Sequence, residues 1–348
     1  MTSENLAKGT ARPSEYRIRI GAFDIFRGVT VALMIIVGNI GYNPYLTLLQ
    51  HAEWNGLTIA DLVMPFFIFT MGLIIPYSLK KRQQLEPMRK TLKHIASRAF
   101  ILFTIGFFLN NGWPVDLTNF RVMSVLQRLA LCYLFVSLAY LFLKSKWRIA
   151  ICVGILVLYS FSGTLPMTVD RLLLGNHIYI TGPNGYDPEG LLSTVSAFST
   201  CLIGAFIGEY IYNRKPLKNL VVYGGALIAI GVLWSAWLPL NKSLYSSSYS
   251  VLSSGISILV LLSCFLVQNL KAAKVFTVLG MNAILIYTLN GLMNVNLLDS
   301  GAKTTILNYL SSPFVDPFYG TVIYTFLYLL SLWLIAFVLY KCKIFIRV

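Results

Sequence analysis

Long apolar runs, each close to 20 residues and separated by short polar breaks, dominate this chain of 348 residues. An α-helix needs about 20 apolar residues to cross a hydrocarbon core of roughly 30 Å, whereas the strands of a membrane barrel give a weaker, alternating pattern. Charged residues make up only 12% of the chain, about half the fraction found in soluble domains. The pattern therefore predicts an all-α, polytopic integral membrane protein.

About ten runs qualify as transmembrane helices, and an even count puts both termini on one side of the membrane. We expect residues 1–22 to form a basic cytoplasmic segment and residues 23–348 to form a single transmembrane domain. The runs cover residues 24–44, 56–79, 95–110, 122–143, 147–164, 190–212, 218–238, 248–268, 275–294 and 318–341.

The distribution of charge fixes the predicted orientation. A net charge of +15 raises the question of nucleic-acid binding, but most of the lysines and arginines lie at the N-terminus, the C-terminus and alternate loops, while most acidic residues lie in the other loops. This is the positive-inside pattern of a membrane protein. We therefore expect cytoplasmic termini, a lipid bilayer as the surroundings and no nucleic-acid partner.

Several common catalytic motifs are missing from the sequence. It has no P-loop, no G-x-S-x-G, no H-E-x-x-H and no dinucleotide fingerprint, so ATP-driven transport, serine hydrolysis and zinc hydrolysis lose support. The five cysteines lie within or at the ends of apolar runs without metal-ligand spacing. We interpret them as packing residues and expect no metal cofactor.

Polar side chains within or beside the spans are the natural pointers to function, because each costs a few kcal/mol in lipid unless it faces a site or water. Asn39 lies ~22 Å along span 1 from Asp24, at the depth where the stretch from His51 to Asp61 re-enters the membrane. We expect Asn39, His51 and Asp61 to converge near the outer surface. Two structural alternatives remain: His51 as a surface histidine, and Asp61 as a helix cap three residues after Thr58.

Arg128 is harder to explain structurally. It lies in the otherwise apolar fourth span, so it should have an anionic partner, whether Asp61, another carboxylate or a ligand phosphate. The external turn Asp187-Pro-Glu189-Gly190 is open to two interpretations, a sugar-binding turn or a helix start with proline at its first position.

Taken together, the polar blocks resemble those of the heparan-α-glucosaminide N-acetyltransferase family and its bacterial relatives, in order and over most of the chain. The central block is His51-Ala-Glu-Trp-Asn-Gly-Leu-Thr-Ile-Ala-Asp61. The others include Asp24-Ile-Phe-Arg27-Gly28, Asn39-Ile-Gly41, Arg121-Val-Met-Ser-Val-Leu-Gln127-Arg128, Tyr186-Asp-Pro-Glu-Gly, Asn241-Lys242-Ser-Leu and Gly280-Met-Asn282.

The resemblance implies a bacterial inner-membrane N-acetyltransferase that moves acetyl from cytoplasmic acetyl-CoA to the amino group of glucosamine or a terminal amino sugar outside. His51 would be the base or acetyl carrier, Asn39 a donor to the oxyanion, and Asp61 a group that orients His51 or binds the sugar ammonium. By analogy with the family, a homodimer is a plausible state. The remaining expected contacts are Trp54, Asn55, Asp187 and Glu189 for the acceptor and Arg128, Asn282, Lys341 and Lys343 for acetyl-CoA.

Two other functions remain open on the sequence alone. One is a sugar transporter or permease, in which His51 and Asp61 gate or couple to protons. The other is an O-acetyltransferase that acts on a hydroxyl of a surface glycan. A strict requirement for acetyl-CoA would exclude a transporter. A comparison of acceptors with and without a free amine would distinguish an N-acetyltransferase from an O-acetyltransferase.

Overall fold

The computed structural model describes residues 13–40, 46–116, 118, 120–179, 187–314 and 316–345. In this part of the chain all regular secondary structure is helical, and there is no strand. Two short 3-10 turns, Thr47–Leu49 and Ala60–Leu62, accompany thirteen α-helices. The helices are α1 (Pro13–Asn39), α2 (Val63–Leu85), α3 (Met88–Asn111), α4 (Val125–Phe142), α5 (Ser145–Ser160), α6 (Leu165–Leu174), α7 (Leu191–Tyr212), α8 (Asn219–Ser235), α9 (Ser247–Val267), α10 (Ala273–Met281), α11 (Ala283–Asp299), α12 (Ala302–Ser311) and α13 (Pro317–Lys341).

The predicted all-α, polytopic fold is confirmed. Within the described residues, seven helices are long and apolar enough to cross a membrane, or up to nine if each of two bent pairs counts as one span. The prediction of about ten differs because it included α8, a shorter apolar helix of 17 residues. The orientation of the termini and the domain boundary at residue 22 remain predictions; most of the 1–22 segment lies outside the described residues, although α1 is continuous from Pro13 to Asn39.

Glycines allow the central helices α2 and α7 to pack backbone against backbone. A Cβ at Gly204 or Gly208 of α7 would overlap the carbonyl oxygen of Phe69 or Leu73 in α2, and one at Gly72 would overlap the carbonyl of Cys201. Small residues four apart are the usual means by which membrane helices approach closely, since lipid removes the hydrophobic drive for association. This pair forms the centre of the main buried core.

A second close contact joins α1 to α10. Gly28 faces the carbonyl of Phe276, and Gly280 faces the carbonyl of Asp24, in both cases without room for a Cβ. Directly after this contact the chain bends by 78° between α10 and α11, at the buried Asn282. The predicted ninth span is therefore a broken helix, and the break lies beside Asp24, near the middle of α1.

Two loops meet over the far end of α1, and both are held by side chains. The loop before α2 is tied to the loop between α8 and α9, where Asn241 Nδ2 donates to the backbone oxygen of Trp54 (3.0 Å) and to Asn55 Oδ1 (3.2 Å). The Gly56 amide completes the junction by donating to the Leu240 carbonyl at 2.8 Å. The predicted polar stretch 51–61 is thus fixed against a segment that lies about 190 residues later in the chain.

Candidate active site

Asp61 is the anchor of the polar stretch. Its side chain is 1% exposed, and its two oxygens have four partners. Oδ1 lies 2.8 Å from His51 Nδ1, while Oδ2 accepts hydrogen bonds from the Ala52 amide (3.2 Å), the Thr58 amide (3.1 Å) and the Thr58 hydroxyl (3.0 Å). One oxygen of Asp61 therefore folds the loop and the other contacts the histidine, while neither the 3-10 turn Ala60–Leu62 nor α2 has a side-chain cap at its start. The roles of Asp61 in capping and in orienting His51 remain predictions.

His51 is consequently held in one tautomer. An ionised carboxylate can only accept a hydrogen bond, so the short contact with Asp61 places the imidazole proton on Nδ1. The basic lone pair is then on Nε2, and the side chain as a whole is half exposed. This geometry matches that of a histidine base or nucleophile oriented by a carboxylate.

Lys242 joins this pair and was not among the residues that the sequence singled out for a role. Its Nζ lies 3.0 Å from His51 Nδ1, 3.2 Å from His51 Nε2 and 3.8 Å from Asp61 Oδ1. Burial lowers the pKa of Lys242 and so does the nearby Arg128, while the carboxylates of Asp61 and Glu189 oppose that change. The block Asn241-Lys242 was a visible signal in the sequence, but spacing alone did not link it to His51.

Tyr249 adds a contact on the buried side of the site, and Asn39 lies at the end of α1. The Tyr249 hydroxyl donates to the Asp61 backbone oxygen at 2.5 Å, which fixes the start of the second span. Asn39 is 3% exposed; its Nδ2 donates to the Ile35 carbonyl at 2.8 Å, and within the described part of the chain its buried Oδ1 has no partner. The amide nitrogen carries a second N–H, so Asn39 can donate to an oxyanion while it keeps the bond to Ile35.

The external turn is built around an ion-pair cluster. Arg121 Nη2 donates to Asp187 Oδ1 (2.8 Å) and to Glu189 Oε2 (2.6 Å). Asp187 is fully buried and also accepts from the amides of Tyr179 and Glu189, whereas the Glu189 side chain retains 13% exposure. Burial opposes the charge of Arg121, but the two carboxylates outweigh it and raise the pKa of Arg121. Asp187 thus has a structural role in this turn, and Glu189 is the more accessible carboxylate.

The turn leads into α7, which begins at Leu191 with Gly190 as its N-cap, so Pro188 lies before the helix and not at its first position. The acceptor for its first amides comes from a distant residue, because Asp170 Oδ1 accepts from the amides of Leu191 (2.8 Å) and Leu192 (3.4 Å). Gly190 lies directly against the Asp170 carboxylate and leaves no space for a Cβ.

Arg128 reaches this same turn. Its guanidinium donates to Pro188 O (2.7 Å), Ser193 Oγ (2.5 Å) and Thr194 Oγ1 (3.2 Å). Among the described residues no carboxylate lies within ion-pair distance of it, so the expected anionic partner is replaced by neutral oxygens from the start of α7. The fully buried Arg128 belongs to the His51 end of the bundle.

The other predicted acetyl-CoA contacts lie at the opposite end. Asn282 Nδ2 donates to the Ile344 carbonyl at 3.0 Å, which joins the α10–α11 break to the end of α13. Lys341 and Lys343 are exposed beside it. The structure thus places the loop of His51, Trp54, Asn55 and Asp61 and the turn of Asp187 and Glu189, with Arg128, at one end of the bundle, and Asn282 and the two lysines at the other. In the part of the chain that the structure describes, no group of three or more His, Cys, Asp or Glu side chains is placed to hold a metal ion.

The fold and site define a multi-pass, all-α membrane protein with a carboxylate-oriented histidine at one end of its bundle. Residues 19–171 match a family model described as a domain of unknown function, DUF5009. The chain is homologous to heparan-alpha-glucosaminide N-acetyltransferase: it is 28% identical to the human protein over 362 residues and 29% identical to the mouse protein over 356. Both alignments cover 80% of this chain and 54% of the relative, so the chain spans about half the length of the curated relatives it matches.

Proposed function

We propose that this protein is a transmembrane N-acetyltransferase that uses acetyl-CoA on the basic, cytoplasmic side and acetylates the amino group of glucosamine or a terminal amino sugar on the other side. The observation that carries the proposal is the His51–Asp61 contact, which puts the ring proton on Nδ1 and leaves Nε2 as the unprotonated, basic nitrogen. The homology to N-acetyltransferases supports the class of reaction. The bacterial inner membrane and the homodimer remain predictions from the family resemblance.

The same nitrogen serves either of two routes. As a base, Nε2 removes a proton from the amine as its nitrogen attacks the thioester carbon; the C–S bond then breaks and the thiolate takes that proton. As a carrier, Nε2 attacks the thioester itself, the C–S bond breaks and the thiolate leaves; the amine later displaces the imidazole from the acetyl group and gives up a proton, which neutralises the thiolate. Asp61 holds the Nδ1 proton and stabilises positive charge on the ring in both routes.

The two ends of the bundle suggest where each substrate binds. The lysines at the end of α13, with Asn282 beside the helix break, are the proposed contacts for the anionic nucleotide part of acetyl-CoA. Arg128 lies too close to the His51 end for that role, so we assign it to the region where thioester and acceptor meet. Glu189, in the turn before α7, is the proposed partner of the acceptor ammonium, and Trp54 and Asn55, in the loop of His51, are the other proposed acceptor contacts.

A direct test compares His51→Gln with the wild-type protein in detergent, using radiolabelled acetyl-CoA and glucosamine. We expect His51→Gln to lose at least 100-fold in rate, because it removes the nitrogen that either route needs. His94→Gln, in α3, is the matched control and should retain activity. A wild-type protein that accumulates sugar in vesicles without an acetyl donor would instead identify a transporter.

A further inference from the structure

The charged side chains that contact His51 within the described part of the chain are Asp61 and Lys242, and they act on the imidazole in opposite directions. The carboxylate at 2.8 Å attracts a second proton to the ring. The ammonium repels that proton from a distance of 3.0–3.2 Å. A histidine beside a carboxylate alone would gain positive charge readily, and a protonated imidazole is neither a base nor a nucleophile.

The position of the ammonium matters as much as its charge. The Lys242 Nζ lies at nearly equal distances from the two ring nitrogens. A hydrogen bond along the Nε2 lone pair would lie in the plane of the ring and far from Nδ1, so these distances place the ammonium over the ring face. The Nε2 lone pair therefore remains directed outward, free for a proton or an acetyl carbon.

The surroundings keep the lysine in this place. Asn241, the preceding residue, joins the loop between α8 and α9 to Trp54 and Asn55. The Asp61 carboxylate attracts the ammonium from a distance of 3.8 Å. Glu189 and Arg128 act on Lys242 from farther away and with opposite signs. These are the charged groups of the turn before α7 and of α4 that bear on the cluster. Burial, with a smaller effect from Arg128, lowers the pKa of Lys242 from its ordinary value, and the two carboxylates oppose that change.

We propose that Lys242 is a positioning residue whose ammonium, held over the imidazole face, offsets Asp61 and keeps His51 neutral with Nε2 free. The purpose of this arrangement rests on the proposed acetyl transfer, but the charge balance itself does not. A lysine that only stabilised the contact between the loop before α2 and the loop between α8 and α9 would stabilise the fold without changing the pH at which His51 takes up a proton. That pH is the quantity that separates the two roles.

The test measures carbethoxylation of His51 by diethyl pyrocarbonate, which attacks neutral imidazole, as a function of pH. Mass spectrometry of the peptide that contains His51 makes the readout specific among the three histidines. Lys242→Met removes the charge and should raise the midpoint pH by about one unit, because a like charge a few ångströms away opposes protonation. Lys242→Arg keeps the charge and should stay close to the wild-type midpoint.

Asp61→Asn is the opposing variant and should lower the midpoint, since the lysine then acts without the carboxylate. Size-exclusion chromatography confirms that each variant is folded, and if Asp61→Asn is not, the Met and Arg pair decides. A Lys242→Met midpoint equal to wild type would overturn the inference, as would equal shifts in the Met and Arg variants. Because no acetyl donor is needed, a shifted midpoint in a protein without transferase activity would reject the proposed function and leave the charge balance intact.

Where acetyl transfer is observed, the pH dependence of kcat/KM supplies an independent readout, through its acid limb, the pH range in which kcat/KM falls as the pH is lowered. That limb reports protonation of the free enzyme, so Lys242→Met should move it to higher pH by the same amount as the carbethoxylation midpoint. An acid limb that stays in place while the rate falls at all pH values would contradict the proposed role.

Discussion

At the scale of single residues, the role of each carboxylate at the His51 end follows from its hydrogen-bond partners and its exposure to solvent. Asp187 is fully buried with three donors, so it holds the turn together. Glu189 shares Arg121 with it but remains partly exposed and acts electrostatically on Lys242. Glu189 is therefore the carboxylate of this turn that we propose for the acceptor ammonium, because a ligand could contact it while Asp187 keeps the turn folded.

This distinction predicts the behaviour of Glu189→Gln. The substitution keeps the shape but removes the charge that would bind the sugar ammonium, and charge-assisted hydrogen bonds contribute about 1.5–3 kcal/mol. We expect kcat/KM for glucosamine to fall on the order of 10- to 100-fold, mostly through KM, in steady-state assays. Glu53→Gln, which removes an exposed carboxylate from the same end, should change neither constant. A loss confined to kcat would argue against an ammonium site.

Sequence reasoning reached some of these residues and missed others for a physical reason. The stretch from His51 to Asp61 was recognisable because it is polar and lies between apolar runs, and its internal contacts span ten residues or fewer. The contacts of Lys242 with His51 and of Arg128 with Ser193 join residues from 65 to 191 positions apart. Hydrophobic periodicity carries no information about such pairs, so the neutral partners of Arg128 could not be foreseen.

At the scale of helices, the contact between α1 and α10 depends on two glycines that face backbone carbonyls across the interface. The predicted spans identified both helices. The sequence did not predict the break at Asn282, because this residue is a single polar side chain between the apolar Met281 and Ala283. The break follows from tertiary contacts, namely the packing of Gly280 on α1 and the Asn282 bond to the end of α13.

Gly28→Ala tests the importance of this contact. The added methyl would meet the Phe276 carbonyl, so the two helices must separate, and overpacking of this kind costs about 1–3 kcal/mol. We expect a lower midpoint of thermal unfolding in detergent. Gly154→Ala in α5 is the matched control, because nothing lies within 4 Å of the new Cβ and alanine favours a helix over glycine by about 1 kcal/mol. Equal midpoints for Gly28→Ala and wild type would show that α1 and α10 are not tightly packed.

At the scale of the whole molecule, transfer of acetyl across the membrane requires His51 and the end of α13 to lie on opposite sides. Cys342 is exposed at the end of α13, while the other four cysteines are buried, which provides a natural labelling site. Glu53 is exposed in the His51 loop and offers a site at the other end.

Labelling with a membrane-impermeant maleimide in intact cells tests this topology. If the positive-inside assignment is right, Cys342 reacts only after permeabilisation. Glu53→Cys, placed in a Cys342→Ser background, should react in intact cells. Labelling of both cysteines from one side would contradict the orientation and would remove the need for acetyl to cross the membrane.

The central claim is that His51 passes acetyl from a donor at one membrane face to an amine at the other. The most direct measurement reconstitutes the protein in sealed liposomes, with glucosamine trapped inside and radiolabelled acetyl-CoA added outside. We predict labelled N-acetylglucosamine in the lumen for wild-type protein and its loss, by at least 100-fold, in His51→Gln. Luminal product that is undiminished in His51→Gln, or product formed only when donor and acceptor share a compartment, would contradict the account.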